Sequence, residues 1–205
     1  MDHVSDTIYA AFKVKVSNLE IIKGADVIIW TTTPWTIPAN KALAYNASLK
    51  YVLLEINDNK NFIERKIVIA KDLLESFKKE TSIENIKVLN EFLGKDLKGT
   101  ICSHPFFKMG YDYDIPMLEA NFVTTEQGTG IVHCAPSHRP EDFNLCLNNN
   151  IKAIETVDGD GKYTNEIKHL EGLHIFKANN LIIEKLDEQK NLVTNGKLTH
   201  SYPHS

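Results

Sequence analysis

Asp26-Val27-Ile28-Ile29-Trp30 runs directly into Thr31-Thr32-Thr33-Pro34-Trp35-Thr36-Ile37-Pro38-Ala39-Asn40. The first five residues read as a short buried strand. Two prolines then remove backbone donors and stop it, so the strand opens into a loop and not into a helix. Outward from this stretch, strand signals dominate. Ile8, Ala10, Phe12, Val14 and Val16 alternate with mostly polar neighbours and read as a half-buried strand. Residues 51–56 and 62–70 read as two strands joined by the turn-rich Asn57-Asp58-Asn59-Lys60-Asn61. Residues 86–92 and 117–123 add two more, and Gly130-Ile131-Val132-His133-Cys134-Ala135 makes a short strand ending at Pro136.

Helical patterns are fewer. Residues 71–79 place Leu73, Leu74 and Phe77 on one face, and residues 178–189 read as an amphipathic helix. A third helix is expected to start near Ser137 or His138, with Pro140 in its first turn and Glu141 and Asp142 at its electropositive end. The tail, residues 192–205, is mostly polar and reads as extended. Many short strands with helices interspersed predict a single mixed α/β (α+β) domain over residues 1–205. Its core is expected to be a curved or barrel-like β-sheet with peripheral helices.

Composition narrows the function classes. A chain of 205 residues with 42% apolar and 24% charged residues supports one soluble globular domain. No apolar run approaches the ~20 residues needed to span a bilayer, and the first residues lack a secretory pattern, so a cytoplasmic location is expected. The net charge of -4 shows no basic surplus. Any contact with nucleic acid is then small, or something else holds the nucleic acid. Three scattered cysteines, Cys102, Cys134 and Cys146, predict free thiols packed as small hydrophobes, with no disulfide framework and no zinc site. Asp158-Gly159-Asp160-Gly161 resembles the start of a calcium loop. Lys162 and Thr164 occupy later ligand positions, so a plain turn is expected.

Two segments are chemically unusual. The first presents Thr31, Thr32, Thr33 and Thr36 after a buried strand. These hydroxyls and the free N–H groups of the loop can hold an ester carbonyl, a ribose hydroxyl or a water; equally, they can satisfy their own backbone in a rigid turn. The second runs from Gly128-Thr129-Gly130 through His133 to Asp142-Phe143. It lacks the third glycine of a dinucleotide fingerprint. His133 reads as a base, a ligand, a shape-setting wall or simply a hydrogen-bonded strand residue. Asp142 reads either as a helix-end charge or as an ionised anchor for an ammonium group.

Taken together, the two segments resemble the signatures of the editing domain inserted into class I aminoacyl-tRNA synthetases for branched aliphatic amino acids. The threonine-rich peptide is one signature. Gly-Thr-Gly, then Val-His, Ala-Pro and an acidic pair before an aromatic residue is the other. Asp158 to Gly161, Gly172 to Asn179 and the tail His200-Ser201-Tyr202-Pro203-His204 add to the likeness. Valyl and leucyl members resemble Thr-Thr-Arg-Pro followed by an acidic residue. Here Thr33 stands in the arginine position and Trp35 follows Pro34, which is the isoleucyl pattern.

The resemblance implies a proofreading hydrolase. One methylene separates isoleucine from valine and is worth ~1–3 kcal/mol in an apolar pocket, this amino-acid pair being the standard example from which that magnitude comes. A second, smaller site then removes valine attached to the isoleucine tRNA. By resemblance, Asp142 holds the α-ammonium. Thr31, Thr32, Thr33 and Thr36 line the site for the terminal adenosine, ester and water. His133 either takes part in the chemistry or shapes the side-chain pocket, and Trp30, Asn40 and Gly130 support substrate binding. No metal or cofactor is implied for this domain, although a parent enzyme would use ATP and Mg. The expected partners are the 3′ end of tRNA(Ile) carrying valine and the remainder of the synthetase, with no membrane contact and a monomeric state.

Neither catalytic motif of a parent synthetase is present, so the chain is expected to be an excised domain that cannot charge tRNA. Two alternatives share the signatures: a free-standing trans-editing hydrolase, and a non-catalytic module that binds RNA ends. Ser137 and Arg139 depart from the family's usual glycine and small residue, which puts loop geometry and RNA contact at that edge in question.

Overall fold

The computed structural model describes residues 2–58 and 60–201. Its strands are β1 (Asp2–Val16), β2 (Asp26–Thr31), β3 (Ala42–Tyr45), β4 (Lys50–Ile56), β5 (Arg65–Ala70), β6 (Ile86–Leu93), β7 (Ile101–Ser103), β8 (Asp114–Glu119), β9 (Ile131–Cys134) and β10 (Leu192–Ser201). Its helices are α1 (Leu74–Thr81), α2 (Pro140–Asn148) and α3 (Ile175–Glu188). The strands form one mixed sheet in the order β6-β4-β5-β2-β1-β7-β8-β3-β9, with β10 beside β1. Pairs β2–β5 and β3–β8 are parallel, and the remaining ladders are antiparallel. The path curls back on itself. Thr129, just before β9, donates to the Ile28 carbonyl of β2 at 2.6 Å, and its own carbonyl accepts from the Ala70 N–H at 2.8 Å. This is the curved, barrel-like mixed α/β architecture expected.

The long β1 organises the sheet because several strands share it. Residues Ile8 to Ala10 pair with β10 on one edge and β2 on the other, and β7 takes over at Val14. The sequence pattern implied one buried face. Instead Ile8, Tyr9, Ala10, Ala11 and Phe12 are all buried. Ile8, Ala10 and Phe12 face a main core that α3 closes with Ala178, Ile182 and Leu186. Tyr9 and Ala11 face a second core with Ile28, Leu54 and Ile69, capped by Phe77 of α1. Tyr9 and Phe77 meet edge to face at 5.5 Å.

Other boundaries moved for local reasons. The strand read over 117–123 is β8, which starts at Asp114. Pro116 would ordinarily be taken to stop a ladder, yet it lies opposite Ile101 of β7, and β3 joins β8 only from Met117. The short, alanine-rich β3 and the three-residue β7 carried no periodic signal. The helix read over 71–79 is one 3-10 turn, Lys71–Leu73, followed by α1. The extended tail is β10 as far as Ser201. The family-like residues Tyr202, Pro203 and His204 lie outside the described residues. Asp158 Oδ1 accepts from the N–H groups of Asp160 and Lys162, so that segment is a turn closed by its own carboxylate. Cys102, Cys134 and Cys146 are free and buried.

Gly130 is held by packing. Its φ is +78°, and a Cβ there would stand 2.4 Å from the Ala70 Cβ. Its carbonyl accepts from the Tyr51 hydroxyl at 2.6 Å. Gly130→Ala is therefore expected to destabilise the domain by about 2–4 kcal/mol, the sum of left-handed strain and overpacking. Urea denaturation measures this, and a loss under about 0.5 kcal/mol would show that β5 and β9 separate easily.

Candidate active site

Four segments converge on one cleft: the end of β2, the loop after it, β9 and the start of α2. The loop Pro34–Ala39 is a 3-10 segment with proline at its start and Pro38 inside, so it cannot relax into an α-helix. Its backbone is tied from outside. The Trp35 N–H donates to Asn179 Oδ1 of α3 at 3.1 Å, and the Trp35 carbonyl accepts from the Tyr163 hydroxyl at 2.6 Å. Below it, His104 Nδ1 accepts from the Phe106 N–H, so Nε2 carries the proton and donates to the Ile37 carbonyl at 3.1 Å. Burial pushes His104 down to about 3, so it acts as a neutral floor for the loop.

The threonines form a chain of hydroxyls. Thr31 Oγ1 accepts from the Thr33 N–H at 3.1 Å and lies 3.2 Å from Thr33 Oγ1, which is 3.4 Å from Thr36 Oγ1. Thr36 donates to the Thr33 carbonyl at 2.8 Å. With that proton committed, Thr36 Oγ1 must accept from His133 Nε2, 2.8 Å away. The other ring nitrogen agrees. Asn40 Nδ2 donates to the Ala42 carbonyl at 3.0 Å, which orients the amide, and it also meets His133 Nδ1 at 2.6 Å. Nδ1 therefore accepts and Nε2 carries the proton, an assignment made from the network. Burial, followed by the positive fields of His138 and Arg139, holds His133 down at about 3. Both nitrogens of a neutral ring are engaged with the protein, so the imidazole has no lone pair free for the cleft.

Asp142 lies in the first turn of α2, after Pro140 at the first helical position. The sequence reading kept it ionised on the strength of the helix dipole. The structure adds a second influence: the side chain turns inward to 1% exposure, and burial raises its pKa above the ordinary aspartate value while the Ala135 N–H and Arg139 oppose the rise. Desolvation works against the dipole here because the carboxylate is withdrawn from water. Oδ2 accepts from the Ala135 N–H at 3.1 Å, while Oδ1 is buried with no hydrogen-bond partner. An unpaired buried acceptor is costly, and a cationic group entering the cleft would relieve it.

The enclosed cleft has a volume of about 160 Å³. Of the residues singled out in the sequence, Trp30, Thr31, Thr33, Thr36, His133 and Asp142 line it. Thr32 is half-buried off the lining, Asn40 sits behind His133 as its support, and Gly130 packs against Ala70. Trp35, Val132, Ala135, His138 and Arg139 also line the cleft and were not chosen as site residues. Strand alternation sets Val132 and His133 on opposite faces and so gave no signal that both would line the cleft, and nothing in the local pattern marked Trp35 or His138. Ser137 donates to the Ile154 carbonyl, and burial raises the thiols of Cys134 and Cys146, so neither type of side chain stands as a nucleophile. Among the described residues, no group of three or more His, Cys, Asp or Glu side chains can hold a metal ion.

Comparison with known proteins bears on the family and the fold. A family model described as "Leucyl-tRNA synthetase, editing domain" matches residues 12–194. An isoleucine–tRNA ligase of Pelagibacter ubique is 66% identical over 204 residues, covering 100% of this chain and 22% of that protein. Isoleucine–tRNA ligases of Gluconobacter oxydans and Fervidobacterium nodosum are each 40% identical, covering 98% and 99% of this chain and 23% and 20% of their own lengths. The chain thus spans 20–23% of these curated relatives. The solved structure titled "The crystal structure of GlLeuRS-CP1" superposes with a TM-score of 0.66 at 13% identity, over 97% of this chain and 100% of that one, a likeness of fold.

Proposed function

This chain belongs to the editing-domain family of the class I aminoacyl-tRNA synthetases, as the editing domain of an isoleucyl-tRNA synthetase, and from that premise we propose that it hydrolyses valine wrongly esterified to tRNA(Ile). The observation that supports this reading best is the buried, half-unpartnered carboxylate of Asp142 facing a cleft of threonine hydroxyls. Its chemistry suits an α-ammonium group.

An aminoacyl ester is already an activated acyl group, so the site needs no covalent nucleophile. With the ammonium on Asp142, the ester carbonyl lies toward Thr31, Thr33 and Thr36. The hydroxyls of Thr31 and Thr33 orient a water for attack and donate to the oxyanion as it forms, while Thr36, its proton committed to the Thr33 carbonyl, holds the loop in place. The water oxygen bonds to the carbonyl carbon, the bond from that carbon to the ribose oxygen breaks, and the proton of the water passes to the ribose oxygen. The neighbouring ribose hydroxyl can relay that proton. His133 takes no part in the transfer, because both its nitrogens are engaged; it is a wall that limits side-chain size. Tight grip on the body of the tRNA falls to the rest of the synthetase, in keeping with the net charge of -4. Among the described residues no helix is long and apolar enough to cross a membrane.

The test is deacylation of Val-tRNA(Ile) beside Ile-tRNA(Ile). Loss of valine at least about tenfold faster than isoleucine is expected, as one methylene permits. Equal rates, or hydrolysis of neither ester even inside the full-length synthetase, would exclude the proposal. The rival reading, a free-standing hydrolase, has no observation in its favour beyond the same cleft.

A further inference from the structure

The cleft is too small for its whole substrate. At about 160 Å³ it lies below the ~300 Å³ at which small-molecule sites begin, so it takes the aminoacyl group alone. The adenosine must leave through the mouth. A second, open groove of about 660 Å³ begins there, between residues 136–144 and 153–157, and shares His138 and Arg139 with the cleft. Its volume suits a nucleotide.

We propose that Arg139 is a positioning contact to the phosphate on the 5′ side of the terminal adenosine, with that nucleotide lying in the groove beside it. The proposal rests on the hydrolytic reading of the cleft and adds a residue to it. Arg139 fits the part on three counts. Its side chain is 57% exposed, and its one ion pair among the described residues, to Glu141 Oε2, is at 4.0 Å, so the guanidinium is available. Its support is rigid. Ser137 is bonded to the Ile154 carbonyl, His138 Nε2 lies 3.0 Å from Thr156 Oγ1, and the His138 ring meets Trp35 edge to face at 5.0 Å. The groove also offers Phe143, 42% exposed, as an apolar surface for a base, whereas its acidic member Glu155 leaves Arg139 as the group that meets a phosphate. A guanidinium binds phosphate oxygens in pairs and fixes register without reading sequence.

The experiment compares two hydrolysis-resistant probes, 3′-valylamino-3′-deoxyadenosine with and without a 5′-phosphate, by calorimetric titration against the chain and its Arg139→Ala variant. In the unsubstituted chain the phosphate is expected to tighten binding roughly tenfold at low salt, with the gain shrinking as salt rises. In Arg139→Ala that gain falls below about twofold, the phosphate-free probe serving as the reference within each variant. Arg139→Lys keeps part of the gain, as a point charge without the paired contact.

A phosphate gain that survives Arg139→Ala overturns the proposal. So does equal weakening of both probes, which would place the residue's influence inside the cleft, through its field on Asp142. If neither probe binds, the cleft reading falls and the proposal falls with it. If both bind as expected while Val-tRNA(Ile) is not hydrolysed, only the hydrolytic reading fails.

Discussion

Asp142→Asn is expected to abolish hydrolysis of the valyl ester while making the empty domain more stable at neutral pH. The two effects share one cause. Asparagine keeps a carbonyl oxygen for the Ala135 N–H, so the local hydrogen bond at 3.1 Å survives. It removes a charge that burial disfavours and whose second oxygen has no partner. The folded pKa of Asp142 is raised. Stability referred to that group is therefore fully present below the ordinary aspartate value of 3.8 and is lost as pH climbs through the raised value. At neutral pH the native domain holds an ionised carboxylate out of water, and the substitution relieves it.

The gain in melting temperature should thus appear at pH 7 and vanish near pH 3. Hydrolysis should move the opposite way. Without the carboxylate the ammonium enters the cleft unpaired, and losing one member of a buried pair costs ~3–5 kcal/mol, roughly a hundred- to a thousandfold or more in kcat/KM. Thermal melts at the two pH values and single-turnover deacylation read both. If the variant melts lower at pH 7 and still hydrolyses the ester, Asp142 is a helix-end charge and nothing more.

What the sequence disclosed follows the range of the forces involved. Local patterns found the elements whose residues are periodic or punctuated: Pro140 at the first position of α2, the strand at β9 and the apolar face of α3. They missed β3 because Ala42-Leu43-Ala44-Tyr45 has no polar alternation; all four residues are buried. They mistook β1 for a half-buried strand because Tyr9 and Ala11, on the face opposite Ile8, Ala10 and Phe12, enter a second core that α1 completes. The site divides in the same way. Threonines, histidine and aspartate stood out by residue type. Their arrangement did not, since it depends on pairs far apart in the chain, such as Asn40 with His133 and Trp35 with Asn179. Asp142 shows the same limit: its place in the first turn of the helix is visible in the sequence, and the burial that raises its pKa is not.

The same network makes a second strong prediction, at His133. His133→Ala should leave hydrolysis of the valyl ester largely intact and erase the domain's preference for it over the isoleucyl ester. The ring lines the cleft while both nitrogens are engaged, Nδ1 accepting from Asn40 and Nε2 donating to Thr36. With the pKa pushed down to about 3, it neither gains nor gives a proton at working pH. Removing it enlarges the space where the side chain sits, and a pocket that excluded one methylene then admits it. The discrimination at stake is roughly 10- to 100-fold.

The substitution leaves the remaining partners serviceable. Asn40 still donates to the Ala42 carbonyl, and Thr36 still donates to the Thr33 carbonyl. The freed Asn40 N–H can be met by water entering the widened cleft, so the stability cost stays near 1–3 kcal/mol. The informative quantity is the ratio of kcat/KM for the two esters, measured beside a melt that shows the variant folded. A ratio near one with valyl hydrolysis retained identifies the ring as a wall. Equal collapse of both activities at an unchanged ratio would mean that the imidazole moves a proton, and the tautomer argued from Asn40 and Thr36 would have to be reversed.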